Sequence, residues 1–578
     1  MGIKYFFSWL KKTFSHNVKT LKIHDNLPET IGKDIDHFLV DMNGIFHYCC
    51  QKTYQYGSFK PRNKEEYKEN PKKTYSLQKQ LQLFDMIGKY VDRLIRFVQP
   101  KKRVVLAIDG PAPLSKQCQQ RSRRYRSAVE RDDGAFDSNC ITPGTKFLDN
   151  LSKYMEHFIR LKLQEGAWGD IQVVFSSEKV PGEGEHKLVK YVRDFGDQKD
   201  QYMIQGMDAD LVMLSLATHY PNFHILRENP YRYEHEYYYI DISSIRENLV
   251  NVLLMEQSLI EDRIYINDFI TMIFFTGNDF LPHIPTVEIL DGGVENLFET
   301  YRQVVKSYGP ITNNVNRLNL DSLKIFIGTL SALEIPFLKE KRSKPINFPD
   351  RLLEKHTHLL QNGEFSLNWE TYRKEYYTSK MNLTTEEEIK EACIQYVEGL
   401  QWVLTYYTEG VSNWKWYYPH YYAPFLSDIE KALEEMINTD KKEKVKKDRK
   451  ERRDRKDSSR PYLPFMQLLC VLPKQSKHLL PEPLANMMTY SPFFPDQITV
   501  DFDGKHNDWE GVVLLPPIDF SLLEKEYEKV IKHVDQKDKY RNINGKSFVY
   551  SLSPSVYYYK SFYGDIKNCC VGQSTIEL

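Results

Sequence analysis

The chain has 578 residues, and its 79 Lys and Arg residues are balanced by 79 Asp and Glu residues. This length allows two or more domains with buried cores, and the 41% hydrophobic and 27% charged fractions are typical of a folded chain rather than a disordered one. No run of about 18 apolar residues occurs, which excludes a membrane span. The eight cysteines lack CxxC spacing, which argues against a zinc or disulfide framework and favours a reducing compartment.

Short apolar runs that end in an acidic residue, or precede one, predict buried strands in the first 210 residues. They are DHFLVD (36–41), RVVLAID (103–109), IQVVFS (171–176) and QYMIQGMD (201–208). Helical patterns lie between them, at 81–98 and 147–163. Strands that alternate with helices predict an α/β fold with a mainly parallel central sheet flanked by helices. Ligands of such sheets bind beyond the carboxyl ends of the strands, where these acids are expected.

The rest of the chain predicts a mostly helical second region packed on this core. A polar stretch at 51–76 is typical of a surface loop, and 441–460 holds twelve basic against five acidic residues, as expected of a charged linker or insertion. The runs ITVDF and GVVLLP near the end are strand-like. We therefore divide the chain into a core and three further parts: 1–300, 301–440, 441–460 and 461–578.

Seven acids are candidate ligands for divalent cations, six of them at or after these apolar runs and the last further along the chain: Asp41, Asp109, Glu183, Glu185, Asp208, Asp210 and Asp279. Taken singly, an Asp at a strand end is more often a cap or turn residue, and Asp208 could cap the following helix. Seven clustered carboxylates would repel one another unless cations were bound. Oxygen ligands without Cys or His favour Mg²⁺ or Mn²⁺, and two ions about 4 Å apart suit phosphodiester hydrolysis.

A basic helix follows Asp109. Lys116, Gln120, Arg123 and Arg124 share one face of it, which favours a phosphate pocket beside the acids over an ordinary solvated face. The aromatic candidates are His47, just after Asp41, and the segment WKWYY at 414–418, where nucleic-acid bases could stack. For any single aromatic residue in a helical region, a place in the core is the commoner role.

Many segments of the chain resemble, in chain order, the motifs of the Xrn (Pacman-like) 5'→3' exoribonucleases. In the first half they are MGIKYFFSWL, LVDMNGIFH, AIDGPAPLSKQCQQRSRRYR, FDSNCITPGTKF, VPGEGEHK, GMDADLVML and FFTGNDFLPHIP. In the second half they are GLQWVLTYYTEGVSNWKWYYPHYYAPFLSD, PFMQLLCVLPKQSKHLLP and DWEGVVLLP. The resemblance covers roughly 1–300 and 395–520, and the chain ends soon afterwards, as in a compact form of the family.

The resemblance implies a core like that of PIN and flap nucleases. It also implies a processive enzyme of RNA and mRNA degradation, which hydrolyses single-stranded RNA from a 5'-monophosphate end to nucleoside 5'-monophosphates, using two Mg²⁺ ions that Mn²⁺ can replace. By position, the seven acids match the family's metal ligands, and Lys116 would assist catalysis. Lys116, Gln120, Arg123 and Arg124 match the 5'-phosphate pocket. His47 matches the base-stacking histidine, with Trp416, or else Trp414, at the other end of the base column.

Two alternatives remain open at this stage. A structure-specific flap nuclease acting on DNA would share the acids and the basic helix, and an RNA-binding scaffold without catalysis would share the fold. The substrate partner expected is single-stranded RNA, protein partners are unknown, and a monomer is the default. We expect a cytoplasmic protein, or a nuclear one if the basic run 441–460 acts as a localisation signal.

Overall fold

The computed structural model describes residues 2–24, 27–28, 31, 34–60, 76–131, 135–230, 232, 236–253, 261–447 and 459–578. Most of the predicted surface loop and of the predicted charged linker lies outside these residues, at 61–75 and 448–458. The chain forms two compact units. We call them the sheet unit (His16–Ser243, Pro461–Gln497 and Pro516–Leu578) and the helical unit (Met1–Ser15, Ser244–Arg460 and Ile498–Leu515). The division drawn from the sequence stays a prediction.

The described strands number fourteen. They are β1 Val18–His24, β2 Leu27–Pro28, β3 His37–Asp41, β4 Arg103–Ala107, β5 Gln172–Ser176, β6 Tyr202–Gln205, β7 Phe223–Glu228, β8 Glu236–Asp241, β9 Thr357–Leu359, β10 Phe365–Leu367, β11 Thr499–Asp501, β12 Val512–Leu514, β13 Ser547–Tyr559 and β14 Ile566–Ile576. Ten of them form the sheet of the sheet unit, in the order β14-β13-β5-β4-β3-β6-β7-β8-β1-β2. Strands β9 to β12 form two small antiparallel pairs in the helical unit.

The centre of the large sheet is parallel, as predicted. Strands β5, β4, β3, β6 and β7 run in one direction, and Val40 of β3 lies between Leu106 of β4 and Gln205 of β6. Their residues are buried almost throughout, because helices cover both faces of such a sheet. Both margins are antiparallel, formed by β13 and β14 on one side and by β8, β1 and β2 on the other. The α/β class is confirmed, and these margins were not predicted.

The helices of the sheet unit follow the predicted pattern. They are Met42–Tyr54, Leu77–Val98, Leu114–Glu130, Lys146–Gln164, Gly184–Phe195, Asp210–Ala217, Pro464–Val471, Glu482–Tyr490, Phe520–Val530 and Gln536–Lys539. The predicted helices 81–98 and 147–163 correspond to the second and fourth of these. Each begins at a capping hydroxyl: Ser76 accepts from the Lys79 amide at 3.1 Å, and Thr145 accepts from the Leu148 amide at 3.3 Å.

The predicted helical character of the second region is also confirmed. The helical unit contains helices Phe6–Thr13, Asp262–Phe274, Gly293–Tyr308, Leu320–Ser331, Glu334–Ser343, Arg351–Lys355, Trp369–Tyr376, Glu386–Thr408 and Leu426–Lys447, and helix Ile242–Leu253 crosses from one unit into the other. The strand-like runs near the end of the sequence contain β11 and β12. Among the described helices, none is both long enough and apolar enough to cross a membrane.

Candidate active site

The order of the central strands creates a crevice at the carboxyl edge of the sheet. The chain passes from β3 to β4 and β5 on one side, and then returns to place β6 on the other side of β3. Adjacent strands whose connections leave in opposite directions form the usual ligand site of an open parallel sheet. Asp41 ends β3 and Asp208 follows β6 by three residues, so the two acids come from the two strands at this switch point.

Asp41 and Asp109 point to the same place, the amino end of helix Gly184–Phe195. The Gly184 amide donates to Asp109 Oδ1 at 2.6 Å. A Cβ atom at Gly184 would lie 2.8 Å from Asp41 Oδ1 and 3.4 Å from Asp109 Oδ1. Any side chain here would therefore press on the Asp41 carboxylate and come into contact with that of Asp109. Glycine at 184 keeps this space open, and the helix end contributes partial positive charge beside the two acids.

The acids of the PGEGEHK segment extend the cluster. Glu183 Oε2 lies 2.5 Å from the ammonium of Lys116, and both side chains are buried. Glu185 is only 6% exposed, and its Oε2 atom is buried with no hydrogen-bond partner. Burial, followed by the negative charges of Glu183, Asp210 and Asp41, raises the pKa of Glu185 well above its ordinary value, although Lys116 opposes this. A buried carboxylate oxygen without a hydrogen-bond partner fits a site that can bind a cation.

The same repulsion acts on Asp41. Burial and the neighbouring charge of Asp109 raise the pKa of Asp41 to about 7, against the lowering effects of the Asn43 amide and Lys116. Bound divalent cations would neutralise these charges, and carboxylate oxygens without sulfur or imidazole suit Mg²⁺ or Mn²⁺. The residues present therefore fit the cations implied by the sequence. How many ions bind, and which, stays a prediction.

The remaining three candidate acids are Asp208, Asp210 and Asp279. Asp210 is the first residue of helix Asp210–Ala217 and is 3% exposed. The idea that Asp208 caps this helix is wrong, because the capping position is Ala209 and no side chain caps the helix there. Asp208 instead lies in the loop at the switch point. Asp279 belongs to the helical unit, next to a turn closed by Asn278, whose side-chain oxygen accepts from the Phe280 amide at 2.8 Å. Its membership of the cluster stays a prediction.

Three residues outside the seven candidate acids also bring potential metal-ligand atoms close together. Within the described residues, the one group of three potential ligand atoms all within 4.8 Å of one another is Glu288, Asp291 and His506, in the helical unit. Burial would raise the pKa of Glu288, but Lys341, His283 and Lys505 lower it to about 2. Glu288 forms an ion pair with Lys341, and Asp291 Oδ1 lies 3.1 Å from Lys344 Nζ. Because lysines already neutralise both acids, we do not assign a cation to this trio.

The predicted phosphate pocket lies on helix Leu114–Glu130. Lys116 and Gln120 are buried, and Arg124 Nη1 donates to Gln120 Oε1 at 3.3 Å. Burial and the neighbouring Arg123 lower the pKa of Arg124 to about 9, while Asp109 and Asp137 act in the opposite direction. Arg124 therefore remains cationic at neutral pH while it lies within electrostatic range of the acid cluster. Arg123 is exposed to solvent.

His47 lies within electrostatic range of Arg123 and Arg124, and its base-stacking role stays a prediction. Burial and the positive charges of Arg123 and Arg124 lower the pKa of His47 to about 4. The imidazole is then neutral at physiological pH, which suits a ring that stacks on a base and would otherwise add charge to the pocket. Arg121, on the same helix, has a structural role. It donates to the carbonyls of Pro516 and Phe493, at 2.9 and 2.8 Å, and these hydrogen bonds hold the helix in the sheet unit.

The tryptophans of the helical unit differ in what their rings contact. Trp416 stacks on Trp402 with ring centroids 4.9 Å apart, so one of its faces is covered. The backbone amide of Trp414 donates to Ser459 at 2.8 Å. Trp509, which the sequence reasoning did not select, is 48% exposed and lies beside Tyr5 and Lys4, at 5.3 and 5.7 Å from its ring centroid. An exposed indole next to a cation offers a face on which a base can stack. The stacking role of Trp416, or else of Trp414, stays a prediction.

Asn43 and Lys187 are two further polar residues that the sequence reasoning did not single out. Asn43 Oδ1 accepts from the Asp109 amide at 3.2 Å, and the Asn43 amide donates to Asp41 Oδ1 at 3.3 Å. Lys187 is only 2% exposed, and burial lowers its pKa to about 7. Both lie within motifs that carry the candidate ligands, DMN and GEGEHK, and this proximity was the only signal in the sequence.

These elements define a class: an α/β protein with a carboxylate cluster at the carboxyl edge of a parallel sheet and a basic helix beside it. The chain belongs to the XRN 5'-3' exonuclease family. The family description "XRN 5'-3' exonuclease N-terminus" matches residues 1–229, and "Xrn1 helical domain" matches 260–364 and 361–569. These matches include both parts of the chain that resembled this family in sequence, except for residues 230–259.

Several curated relatives are similar over nearly the whole chain. It is 28% identical to 5'-3' exoribonuclease 1 of Saccharomyces cerevisiae, over all of this chain and 47% of the relative. It is 29% identical to the 5'-3' exoribonuclease 2 homolog of Drosophila melanogaster, over 97% of this chain and 74% of the relative. The human 5'-3' exoribonuclease 1 is 28% identical, over all of this chain and 37% of the relative. The chain thus spans about half, or less, of two of these three proteins.

Among solved structures, a catalytic core of Rad2 in complex with DNA substrate covers 67% of this chain and 97% of its own, with 11% identity and a TM-score of 0.30. A second Rad2 complex gives 11% identity and a TM-score of 0.31. Likeness at this level carries no argument about the fold or the site.

Proposed function

We propose that this protein is a processive 5'→3' exoribonuclease that hydrolyses 5'-monophosphorylated single-stranded RNA to nucleoside 5'-monophosphates. The observation that carries the proposal is the contact between the two parts of the site: Lys116 of the basic helix is paired with Glu183 of the acid cluster at 2.5 Å. A group that holds a terminal phosphate therefore lies directly beside a group that would hold catalytic cations. Membership of the XRN family supports the same activity.

Asp41, Asp109, Glu183, Glu185, Asp208 and Asp210 would hold two Mg²⁺ ions, with Asp279 as a seventh candidate. Such ions, when bound, lower the pKa of an attacking water and stabilise charge on the leaving oxygen. The protein's own part is to orient the carboxylates: Asp109 is held by the Gly184 amide, and Glu183 by Lys116. Lys116 would also place positive charge next to the scissile phosphate.

The basic helix would determine where the RNA is cut. Lys116, Gln120, Arg123 and Arg124 would form a pocket for the terminal phosphate next to the acids, so the first internucleotide phosphate would be the one in reach of the cations. Mononucleotide products follow from this geometry. A cap or a triphosphate adds bulk and charge, and we expect the partly buried pocket to reject both. Equal decay of capped, triphosphorylated and monophosphorylated RNA would contradict this.

The proposal is tested by incubating 5'-monophosphate RNA with Mg²⁺ and, separately, with excess chelator, and by sizing the products. We expect nucleoside 5'-monophosphates as the only small products with Mg²⁺, and no hydrolysis with chelator. A DNA flap substrate serves as the comparison. Cleavage at the flap junction with the RNA left intact would favour a flap nuclease, and RNA binding without hydrolysis would favour a scaffold.

Replacing Arg124 with Ala should remove the preference for a 5'-monophosphate end. A hydrogen bond to a charged group contributes about 1.5–3 kcal/mol, so the ratio of kcat/KM for 5'-monophosphate over 5'-hydroxyl RNA should fall about 10–100-fold. The matched control is Arg126→Ala on the same helix, where Arg126 pairs with Glu130 at 2.7 Å. An equal loss in both variants, on both RNAs, would show general damage to the helix and contradict the assignment.

Replacing Trp509 with Ala should weaken RNA binding without affecting folding. Loss of one stacked base costs about 1–3 kcal/mol, which corresponds to a rise in KM of about 5–150-fold. Trp416→Ala is the comparison, and because Trp416 packs on Trp402 we expect it mainly to lower the thermal unfolding midpoint. Loss of RNA binding in the Trp416 variant alone would contradict this prediction and would favour Trp416 as the residue that stacks on a base.

A further inference from the structure

Lys187 is a buried lysine whose ammonium group contacts backbone carbonyls. Its Nζ atom donates to the carbonyl of Ile108 at 2.7 Å and to that of Ser177 at 3.0 Å. Ile108 directly precedes the candidate ligand Asp109, and Ser177 directly follows β5. Lys187 itself belongs to helix Gly184–Phe195, which begins directly after Glu183 and carries Glu185. One side chain thus connects the three segments that present Asp109, Glu183 and Glu185.

The backbone around Lys187 shows why such a connection is needed. The loops after β4 and β5 touch: the Gly110 amide donates to the Gly182 carbonyl at 2.9 Å, and the Gly182 amide donates to the Pro111 carbonyl at 2.8 Å. A Cβ atom at Gly110 would lie 1.7 Å from the Val180 carbonyl oxygen, so the loops meet as closely as glycine permits. Three sets of contacts hold the ends of β4 and β5. They are the backbone hydrogen bonds between the two loops, the hydrogen bonds of the Lys187 ammonium group, and the hydrogen bond of the Asn43 side chain, which follows β3.

We propose that Lys187 is a positioning residue for the cation-binding carboxylates: it fixes the ends of β4 and β5 so that Asp109, Glu183 and Glu185 face one site. It contacts neither RNA nor cation, and it acts only through the backbone atoms that it holds. This proposal rests on the proposed function, since it assigns Lys187 to the same site. Groups that orient metal ligands typically contribute 10–100-fold to metal affinity or activity.

The test is calorimetric titration of the full-length protein with Mn²⁺ in the absence of RNA, together with the Mn²⁺ dependence of RNA hydrolysis. For Lys187→Met, which keeps the apolar stem and removes the donors, we expect the Mn²⁺ dissociation constant and the half-saturating Mn²⁺ concentration to rise together, by about 10–100-fold. Lys190→Met is the matched control. Lys190 lies on the same helix, is paired with Asp194 and is more exposed, so its variant should titrate like the wild type.

Folding is measured separately, because removing the donors leaves two buried carbonyls unsatisfied. If the Lys187→Met protein does not fold, Lys187→Gln keeps an amide donor, and we expect it to fold and to show a smaller rise in the Mn²⁺ dissociation constant. A variant with a lowered unfolding midpoint and unchanged Mn²⁺ binding would show a purely structural role and overturn the proposal. A wild-type protein that binds no Mn²⁺ would instead overturn the proposed function itself.

Discussion

The double substitution Asp208→Ala with Asp210→Ala should abolish RNA hydrolysis while leaving RNA binding intact. These acids follow β6 at the switch point of the sheet, and removing both takes away oxygen ligands from the site that cations are proposed to occupy. We expect kcat to fall at least about 10³-fold, in line with the several kcal/mol that a bound cation contributes to such reactions. The proposed 5'-phosphate pocket is untouched, so the RNA dissociation constant, measured with chelator present, should stay within about twofold of the wild-type value.

The stability of this variant gives a second readout. Asp210 is buried and adds to the repulsion that raises the pKa of Glu185, so its removal relieves a buried conflict of charge. Without cations we expect the variant to unfold at the same temperature as the wild type, or higher. With millimolar Mn²⁺ only the wild type should gain thermal stability, because only a folded protein with intact ligands binds the ion.

The matched control for the double variant is Asp194→Ala with Asp197→Ala, which removes two exposed acids from the neighbouring helix Gly184–Phe195 and the loop that follows it. Its kcat and its response to Mn²⁺ should be those of the wild type. Unchanged hydrolysis in the double Asp208 and Asp210 variant would contradict the assignment of these two acids to the cation site.

Gly184→Ala should be an inactive protein that remains stable. Gly184 is the first residue of its helix, and alanine is favoured over glycine in helices by up to about 1 kcal/mol. The added Cβ would lie 2.8 Å from Asp41 Oδ1, closer than carbon and oxygen normally approach, so the Asp41 carboxylate must move. We expect kcat to fall about 10²-fold or more, with an unfolding midpoint near that of the wild type.

Gly44→Ala is the control for this prediction. Gly44 also lies in the first turn of a helix, Met42–Tyr54, but a Cβ there would meet Met207 Cγ at an ordinary 3.7 Å. Its activity should be close to that of the wild type. Full activity in Gly184→Ala would mean that Asp41 and Asp109 do not need the space in front of the helix, and the proposed cation site would have to be moved.

The local features of the site could be read from the sequence because each depends on neighbouring residues. Buried strands are runs of apolar residues, so β3, β4, β5 and β6 were recognisable together with the acids that follow them. The face shared by Lys116, Gln120, Arg123 and Arg124 follows from helix periodicity alone. Family motifs then indicated the chemistry. An incorrect detail, the capping role of Asp208, came from assuming that an Asp before a helix caps it.

Features that depend on partners distant in the chain required the tertiary structure. Strands β13 and β14 extend the sheet beside β5 although some 370 positions separate them along the chain, and no local pattern encodes that pairing. The same holds for Trp509: only the fold shows that its ring is exposed beside Tyr5 and Lys4, whereas one face of the Trp416 ring is covered by Trp402.

The sequence by itself determined which residues are candidates for the chemistry, since acids at strand ends and cations on one helix face are local patterns. Only the tertiary structure decided how these residues are held. Lys187 and Asn43 contact backbone atoms of the loops that follow other strands, and a side chain at Gly184 would collide with Asp41. Contacts of this kind are made by geometry rather than by residue type, so they become visible only when the strands have been brought together.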